Sequence, residues 1–173
     1  LNVTSDIPPV TFRSLIEAHP NTTFYDYTKL HSTPIAPNHH LTYSSDGLAQ
    51  TLPGGERVGH DHPNNWRYVR GRLDRGYNVA MGFTVKGVGE GERYNRAQLP
   101  ARLKDEETGE IYRVHDGDTY DSRHLDPKTR TGKGMIIGLR NKDQSTTQAN
   151  AAKKSRGFFV EYSRARDGAT VTV

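Results

Sequence analysis

The sequence of 173 residues contains no cysteine. Disulfide bonds, thiolate-bound zinc, iron–sulfur clusters and cysteine nucleophiles are therefore excluded within this chain. A chain without cysteine fits a reducing compartment, and we expect a cytoplasmic location.

Long apolar runs are also missing. No stretch approaches 18 apolar residues, so the sequence predicts no transmembrane helix and no membrane partner. The opening "LNVTSDIPPV" lacks the pattern of a signal peptide, and Leu1 in place of an initiator Met is typical of a processed or partial chain. Apolar residues make up 32% of the chain and the mean hydropathy is −0.84, which predicts a modest core with long polar loops.

Charge of neither sign dominates. The chain has 24 Lys and Arg against 20 Asp and Glu, a net charge of +4. This excess fits both an ordinary basic protein and a partner of polyanions, since only clustered Lys and Arg attract phosphates strongly. The distribution of the charges must decide between the two.

The order of the apolar segments predicts the fold class. The helical pattern of "TFRSLIEAHP" precedes two strand-like segments, and "WRYVRGRLDRG" precedes the apolar strand "YNVAMGFTV". Helices alternating with strands favour parallel pairing, and the later, strand-rich half favours an antiparallel addition. We predict a single α/β domain over 1–173, with a mixed, partly parallel sheet flanked by a few short helices. Residues 1–10 form an extended lead-in, and 163–173 a frayed tail.

The densest chemical stretch is "YRVHDGDTYDSRHLDP", residues 112–127. Carboxylate oxygens suit hard cations, so Asp116, Asp118 and Asp121 are candidate ligands of Mg²⁺ or Mn²⁺. His115 and His124 are candidate general bases, because an unperturbed imidazole titrates near neutral pH. The alternatives are a catalytic or binding role without a metal, and a strand that ends in an Asp-Gly turn followed by an ordinary loop.

A second polar group is "FYDYTKL", which contains Asp26, Tyr27 and Lys29 at the predicted end of a strand. Ligands of parallel sheets bind outside the carboxyl ends of the strands. These residues form a second candidate site, whereas Asp126 is a further oxygen donor of the Asp-rich stretch. An ordinary polar strand end is the alternative.

The predicted helix "WRYVRGRLDRG" combines arginines with aromatic side chains. Arginine forks pair with phosphates and aromatic rings stack on bases. The candidate nucleic-acid-binding residues are Trp66, Arg67, Tyr68, Arg70 and Arg75. A solvated helix face is the alternative. A second basic cluster contains Lys153, Lys154 and Arg156, and His60 and His62 are a further candidate metal pair.

Several blocks occur together in one order: "NTTFYDYTKL", "NHHLTYSSDG", "RGYNVAMGFTV", "LPARLKDEETGEIYRVHDGDTYDSRHLDP" and "GMIIGLRNK". Over roughly residues 21–142 they resemble the C-terminal half of a phage and plasmid family named gene product 88. The resemblance implies a mobile-element origin and an α/β arrangement, and it suggests that the 116–126 block and Tyr27–Lys29 form a shared site. Longer members carry a Cys-rich N-terminal half that is missing here, so no iron–sulfur or radical chemistry carries over, and no catalytic residue is transferred.

These observations lead to three functional hypotheses. The first is a phage or mobile-element protein of the host cytoplasm that binds or processes nucleic acid. Its enzymatic version is a metal-dependent, nuclease-like phosphodiesterase in which Lys29 or a helix arginine neutralises the phosphate. The second is a module that binds or inhibits a host or phage protein through exposed Tyr and Arg. The third is a structural virion component.

Overall fold

The computed structural model of the chain describes residues 7–29, 32–45, 50–51, 57–58, 63–86, 99–140, 159–163 and 170–172. Its helices are a 3₁₀ helix at Pro9–Phe12, α1 at Arg13–Ala18, α2 at Pro63–Asp74 and a second 3₁₀ helix at Arg123–Leu125. Its strands are β1 Phe24–Thr28, β2 His39–Ser44, β3 Gln50–Thr51, β4 Arg57–Val58, β5 Val79–Lys86, β6 Arg102–Lys104, β7 Ile111–Asp116, β8 Ile136–Arg140, β9 Phe159–Ser163 and β10 Thr170–Thr172.

Within this part of the chain, eight strands form one mixed sheet. Its path is β1-β2-β5-β8-β7-β6-β10, and β9 pairs with β5 over Gly82–Lys86. The pairing is parallel except between β6 and β7, which run antiparallel. Strands β3 and β4 form a separate antiparallel pair. The predicted α/β fold with a partly parallel sheet and few short helices is confirmed.

The central elements follow from their apolar patterns. Val69 and Leu73, one helical turn apart on α2, are 1% and 0% exposed, so this stripe packs on the sheet. The helix ends at Asp74 and is followed by Gly76, whose φ of 84° suits a residue without Cβ. In β5, residues 79–83 are all buried, as expected for a parallel strand covered on both faces.

The two faces of the sheet carry different neighbours. On one face, which we call the helix face, α2 packs in a cluster with Tyr43, Val79, Tyr112 and Ile136. The opposite face contains Ala80 and Ile137, and we call it the loop face, because residues 117–126 cross it. A Cβ on Gly117 would lie 2.5 Å from Cγ2 of Ile137, which shows how closely this segment packs. The strand alternation assigns Arg113 and His115 of β7 to the loop face.

Parts of the predicted termini lie outside the described residues. Within the predicted lead-in, a 3₁₀ helix begins at Pro9, and within the predicted tail the structure has β10. In the described part of the chain, no helix has the length and apolar character that a membrane span requires.

Candidate functional site

The Asp-rich stretch begins at the carboxyl end of β7, where Arg140 from the end of β8 reaches it. Nη1 of Arg140 donates to Oδ1 of Asp116 over 2.8 Å, and Nη2 donates to Oδ2 over 2.7 Å. This bidentate hydrogen-bonding geometry is the strongest that a carboxylate makes with arginine. The hydrogen bonds from Arg140 lower the pKa of Asp116, although partial burial opposes them. Asp116 is therefore ionised and neutralised by a protein cation.

Asp118 is bound to the same arginine. Its Oδ2 accepts hydrogen bonds from Nη1 of Arg140, over 3.1 Å, and from the Arg140 backbone N–H, over 2.9 Å. Its own N–H donates to Asp116 across the turn. Asp121 is exposed, and its backbone carbonyl accepts a hydrogen bond from Arg123.

No group of three or more His, Asp or Glu in the described ranges is arranged to hold a metal ion. The predicted ligands Asp116 and Asp118 already neutralise the guanidinium of Arg140, while Asp121 lies apart on the surface. The donor set therefore does not fit a divalent cation.

The predicted proximity of "FYDYTKL" to the Asp-rich stretch is visible on the loop face. The ring of His124 lies 5.2 Å from the ring of Tyr25, centroid to centroid. Tyr27, 36% exposed, interacts electrostatically with Arg123, Asp126, Asp121 and Asp118, and burial is the main cause that raises the pKa of its phenol. The phenol is therefore neutral at physiological pH.

Two other residues of "FYDYTKL" take different positions. Strand alternation places Asp26 on the helix face, opposite to Tyr27, and its side chain is buried. Lys29 follows β1 directly and is exposed. Asp26 therefore does not share a surface with Tyr27.

A buried polar cluster lies under the 117–126 segment. The side chains of Arg123 and Asp126 are 1% and 0% exposed and form an ion pair over 3.6 Å. Nη2 of Arg123 also donates to the Gly117 carbonyl over 3.1 Å. Burial raises the pKa of the Asp126 carboxyl, partly offset by Arg123 and the two histidines His115 and His124.

Several atoms of this cluster have no hydrogen-bond partner among the described residues. They include Nε2 of His115, Nδ1 of His124 and both carboxylate oxygens of Asp126. The centroid of the His115 ring lies 6.2 Å from that of the Tyr120 ring, and the two planes are tilted. The predicted bases His115 and His124 are thus both partly buried, the first on β7 and the second within the 3₁₀ helix at Arg123–Leu125.

The arginines of α2 are used mainly in structural contacts. Nη1 of Arg70 donates to Oδ2 of Asp105 over 2.7 Å and to Oε2 of Glu107 over 3.1 Å, and Nη2 of Arg67 donates to Glu107 over 3.0 Å. The Asp105 side chain is fully buried. Burial alone would raise the pKa of Asp105, but hydrogen bonds from Arg70 and Thr108 hold it far below its usual range.

The aromatic residues of α2 also contribute to the core. Trp66 packs edge-on against Tyr112 with 5.9 Å between ring centroids. The hydroxyl of Tyr68 accepts a hydrogen bond from Nε of Arg72, which lies buried 4.5 Å from the centre of the Tyr43 ring. Arg75 is exposed. The apolar stripe of α2 packs on the sheet and places its neighbouring side chains beside the sheet and the turn at 105–108. The residues that connect α2 to these elements are therefore Trp66, Arg67, Tyr68 and Arg70.

A cleft lies at the opposite end of the sheet from Arg140. It has a volume of about 730 Å³ and separates β7 from residues 127–135. It arises because β8 begins at Ile136, opposite Val114, so that Ile111–Arg113 extend beyond the start of β8. The cleft is lined by side chains that include Arg113, His115, Lys128 and Arg130.

Two arginines face each other on the antiparallel strands β6 and β7. Arg102 of β6 is directly opposite Arg113 of β7, and both are exposed. The hydrogen bonds from Asp105 N to Glu110 O and from Val114 N to Ala101 O make 102 and 113 a non-hydrogen-bonded pair, the type in which side chains approach most closely. Like charges opposite each other are unfavourable.

We call Arg102, Lys104, Arg113, Lys128 and Arg130 the basic patch. All five side chains are exposed, and none forms an ion pair with another described residue. Glu110 also lines the cleft, but Lys133 neutralises it over 2.9 Å. The patch is therefore the principal uncompensated positive charge that the structure describes.

Sequence reasoning missed the basic patch and Arg140. The patch combines alternate strand residues in "RLK" and "YRVH" with the run "PKTRTGK", and only the antiparallel pairing of β6 with β7 assembles it. Arg140 ends an apolar strand, a position that invites pairing with carboxylates at the same sheet edge. The predicted pair His60 and His62 and the cluster Lys153, Lys154 and Arg156 lie outside the described residues.

Comparison with known proteins gives one family. The model of a family described as gene product 88 matches residues 1–160, a wider span than the blocks that carried the resemblance. No curated protein and no solved structure matches the chain.

Proposed function

The chain belongs to the gene product 88 family, and we propose that it is a phage or mobile-element protein that binds nucleic acid through the basic patch. The main support for this proposal is the position of Arg102 and Arg113, which lie opposite each other on adjacent strands. Neither has an acidic partner in the described part of the chain. A phosphate between the two guanidinium groups would replace repulsion by attraction.

The cleft supports the same proposal. Arg113 lines it from β7, and Lys128 and Arg130 line it from the facing loop, so cations border it on two sides. The backbone groups of Glu110 and Val114 form hydrogen bonds toward the β6 side of β7. Because the direction alternates along a strand, the backbone N–H of Arg113 points to the other side, toward the cleft. Backbone N–H groups and arginine forks are the usual partners of phosphate oxygens.

The α2 surface supports the proposal less well. Arg67 and Arg70 are paired with Glu107 and Asp105, and Trp66 packs on Tyr112. Binding a phosphate there would require breaking these ion pairs, one of which involves a fully buried carboxylate. We therefore assign the interface to the basic patch and propose binding without cleavage, since the Asp-rich stretch is neutralised by Arg140.

The test is the fluorescence anisotropy of labelled DNA and RNA oligonucleotides over a range of salt concentrations. We expect tight binding at low salt, with an affinity that falls linearly on a logarithmic scale as salt rises. Arg113→Gln and Lys128→Gln should each weaken binding and reduce the salt slope by about one. The matched control Arg75→Gln, an exposed arginine of the α2 end, should leave both unchanged.

Two results would overturn the proposal. The first is no binding of any oligonucleotide at low salt. The second is loss of binding in Arg75→Gln together with full binding in Arg113→Gln, which would move the interface to α2. Circular dichroism of each variant shows that the fold is retained.

A further inference from the structure

Exposed and half-buried aromatic rings occupy the loop face at the β1 end of the sheet path. Tyr25 and Tyr27 alternate with the buried Asp26, so both rings lie on the same face of β1. Strand β1 is the terminal strand of the sheet path, and Tyr27 is 36% exposed. We call Tyr25, Tyr27, His40 and His124 the aromatic ledge.

The 3₁₀ helix at Arg123–Leu125 holds the ledge together. The His124 ring lies 5.2 Å from Tyr25 and 6.1 Å from His40, with tilted planes in both pairs. His40 comes from β2, opposite Tyr25 in the parallel register. The rings of Tyr25, His40 and His124 therefore form one aromatic cluster from two strands and one loop. Tyr27 lies two residues beyond Tyr25 on the same face of β1.

Lys128 connects the ledge to the cleft. It lines the cleft and follows His124 of the ledge by only four residues. Burial lowers the pKa of His40, and the charge of Lys128 lowers it further. Lys128 is thus the member of the basic patch that links the ledge to the cleft, and a flexible polyanion can extend from one to the other.

We propose that the aromatic ledge stacks unpaired bases, so that the nucleic acid bound by this chain is single-stranded. The inference rests on the proposed function. Bases of a duplex are stacked on each other and present only their edges, whereas those of a single strand can turn their faces to a protein ring. Every base has such a face, so the ledge would accept any sequence.

The acidic groups around the ledge restrict the path that a bound single-stranded nucleic acid can take. Asp126 is fully buried under the segment, whereas Asp121 is exposed and acts electrostatically on Tyr27. A phosphate would be repelled on the Asp121 side and attracted on the Lys128 side. The sugar–phosphate backbone therefore runs along Lys128 and the cleft, with bases directed toward Tyr27.

The experiment compares three labelled probes of equal length: a single strand, the same strand with abasic sites at its centre, and the duplex. We expect the single strand to bind about tenfold more tightly than either of the others at the same salt concentration, as base–aromatic stacking predicts. Tyr27→Ala should weaken binding of the intact strand several-fold without changing its salt slope. It should leave the abasic strand unaffected.

Matched variants separate stacking from other roles. Tyr27→Phe retains the ring and should bind like the wild type, and Asp121→Asn removes the repelling charge and should tighten binding. Equal affinity for intact and abasic strands, with no effect of Tyr27→Ala, would overturn the inference and leave the proposed function intact. Failure of all three probes to bind would instead reject the proposed function.

Discussion

The guanidinium of Arg140 donates to both carboxylate oxygens of Asp116, over 2.8 and 2.7 Å, and thereby joins the carboxyl ends of two parallel strands. The same arginine also binds Asp118. The two carboxylates that were predicted to bind a divalent cation therefore bind the guanidinium of Arg140.

This pairing predicts how the Asp-rich stretch responds to metal. Asp116 and Asp118 should hold no Mn²⁺ in wild-type protein dialysed against it, because Arg140 neutralises both carboxylates. Elemental analysis should therefore give the same metal content for the wild type and Asp116→Asn. Arg140→Gln should take up Mn²⁺ weakly and should lose about 2–3 kcal/mol of stability, the usual contribution of charged hydrogen bonds. Metal retained by the wild type and lost in Asp116→Asn would contradict this assignment.

Asp105 predicts a loss of stability in acid. The pKa of its carboxyl in the folded state lies far below the ordinary value. The ionised carboxylate therefore contributes fully to the free energy of unfolding above pH about 4, the pKa in the unfolded chain, and less as the pH falls below that value. Asp105→Asn should lower the free energy of unfolding at neutral pH by about 3–5 kcal/mol, because it leaves Arg70 without its buried partner. Chemical denaturation at several pH values should also show a shallower acid decline in this variant. Glu106→Gln, an exposed neighbour, is the control.

His39 predicts a second pH effect in a higher range. Its side chain is 3% exposed, its Nδ1 accepts a hydrogen bond from the Ile35 N–H, and burial lowers its pKa. Because the folded pKa lies below the unfolded value of about 6.5, stability is complete above that pH and is lost as the pH falls. Between about pH 7 and 5, His39→Gln should show a smaller loss than the wild type. The exposed His19→Gln should lose as much as the wild type.

Two glycines predict opposite effects of the same substitution. A Cβ at Gly134 would lie 1.9 Å from the carbonyl oxygen of Tyr77, so Gly134→Ala should prevent folding or lower the melting temperature strongly. A Cβ at Gly71, within α2, would meet nothing within 4 Å. Gly71→Ala should stabilise the protein by about 0.5–1 kcal/mol through helix propensity. A thermal melt of both variants checks the pair, and equal melting temperatures would contradict the packing described around Tyr77.

The fold class could be predicted because it depends on local patterns. The stripe of Val69 and Leu73 and the apolar run of β5 each define an element without knowledge of its neighbours. The family resemblance suggested that "FYDYTKL" and the Asp-rich stretch share a site, and the ring centroids of Tyr25 and His124 lie 5.2 Å apart. The function of such a site stays a prediction.

The roles of individual charges could not be predicted in this way. Arg70 and Asp105 are 35 residues apart, and Arg140 lies 24 residues from Asp116, so only the sheet topology brings them together. The same topology assembled the basic patch from β6, β7 and a loop. A sequence shows which charges exist, whereas their neutralisation depends on register and strand order.

Arg102 and Arg113 also have a consequence for the folded state itself. Their side chains approach most closely on folding, so the unliganded sheet contains a repulsion that the unfolded chain lacks. An anion that bridges them removes this repulsion and by mass action stabilises the native state. The pairing of β6 with β7, which connects β10 to the rest of the sheet, is therefore the contact that a bound anion would stabilise.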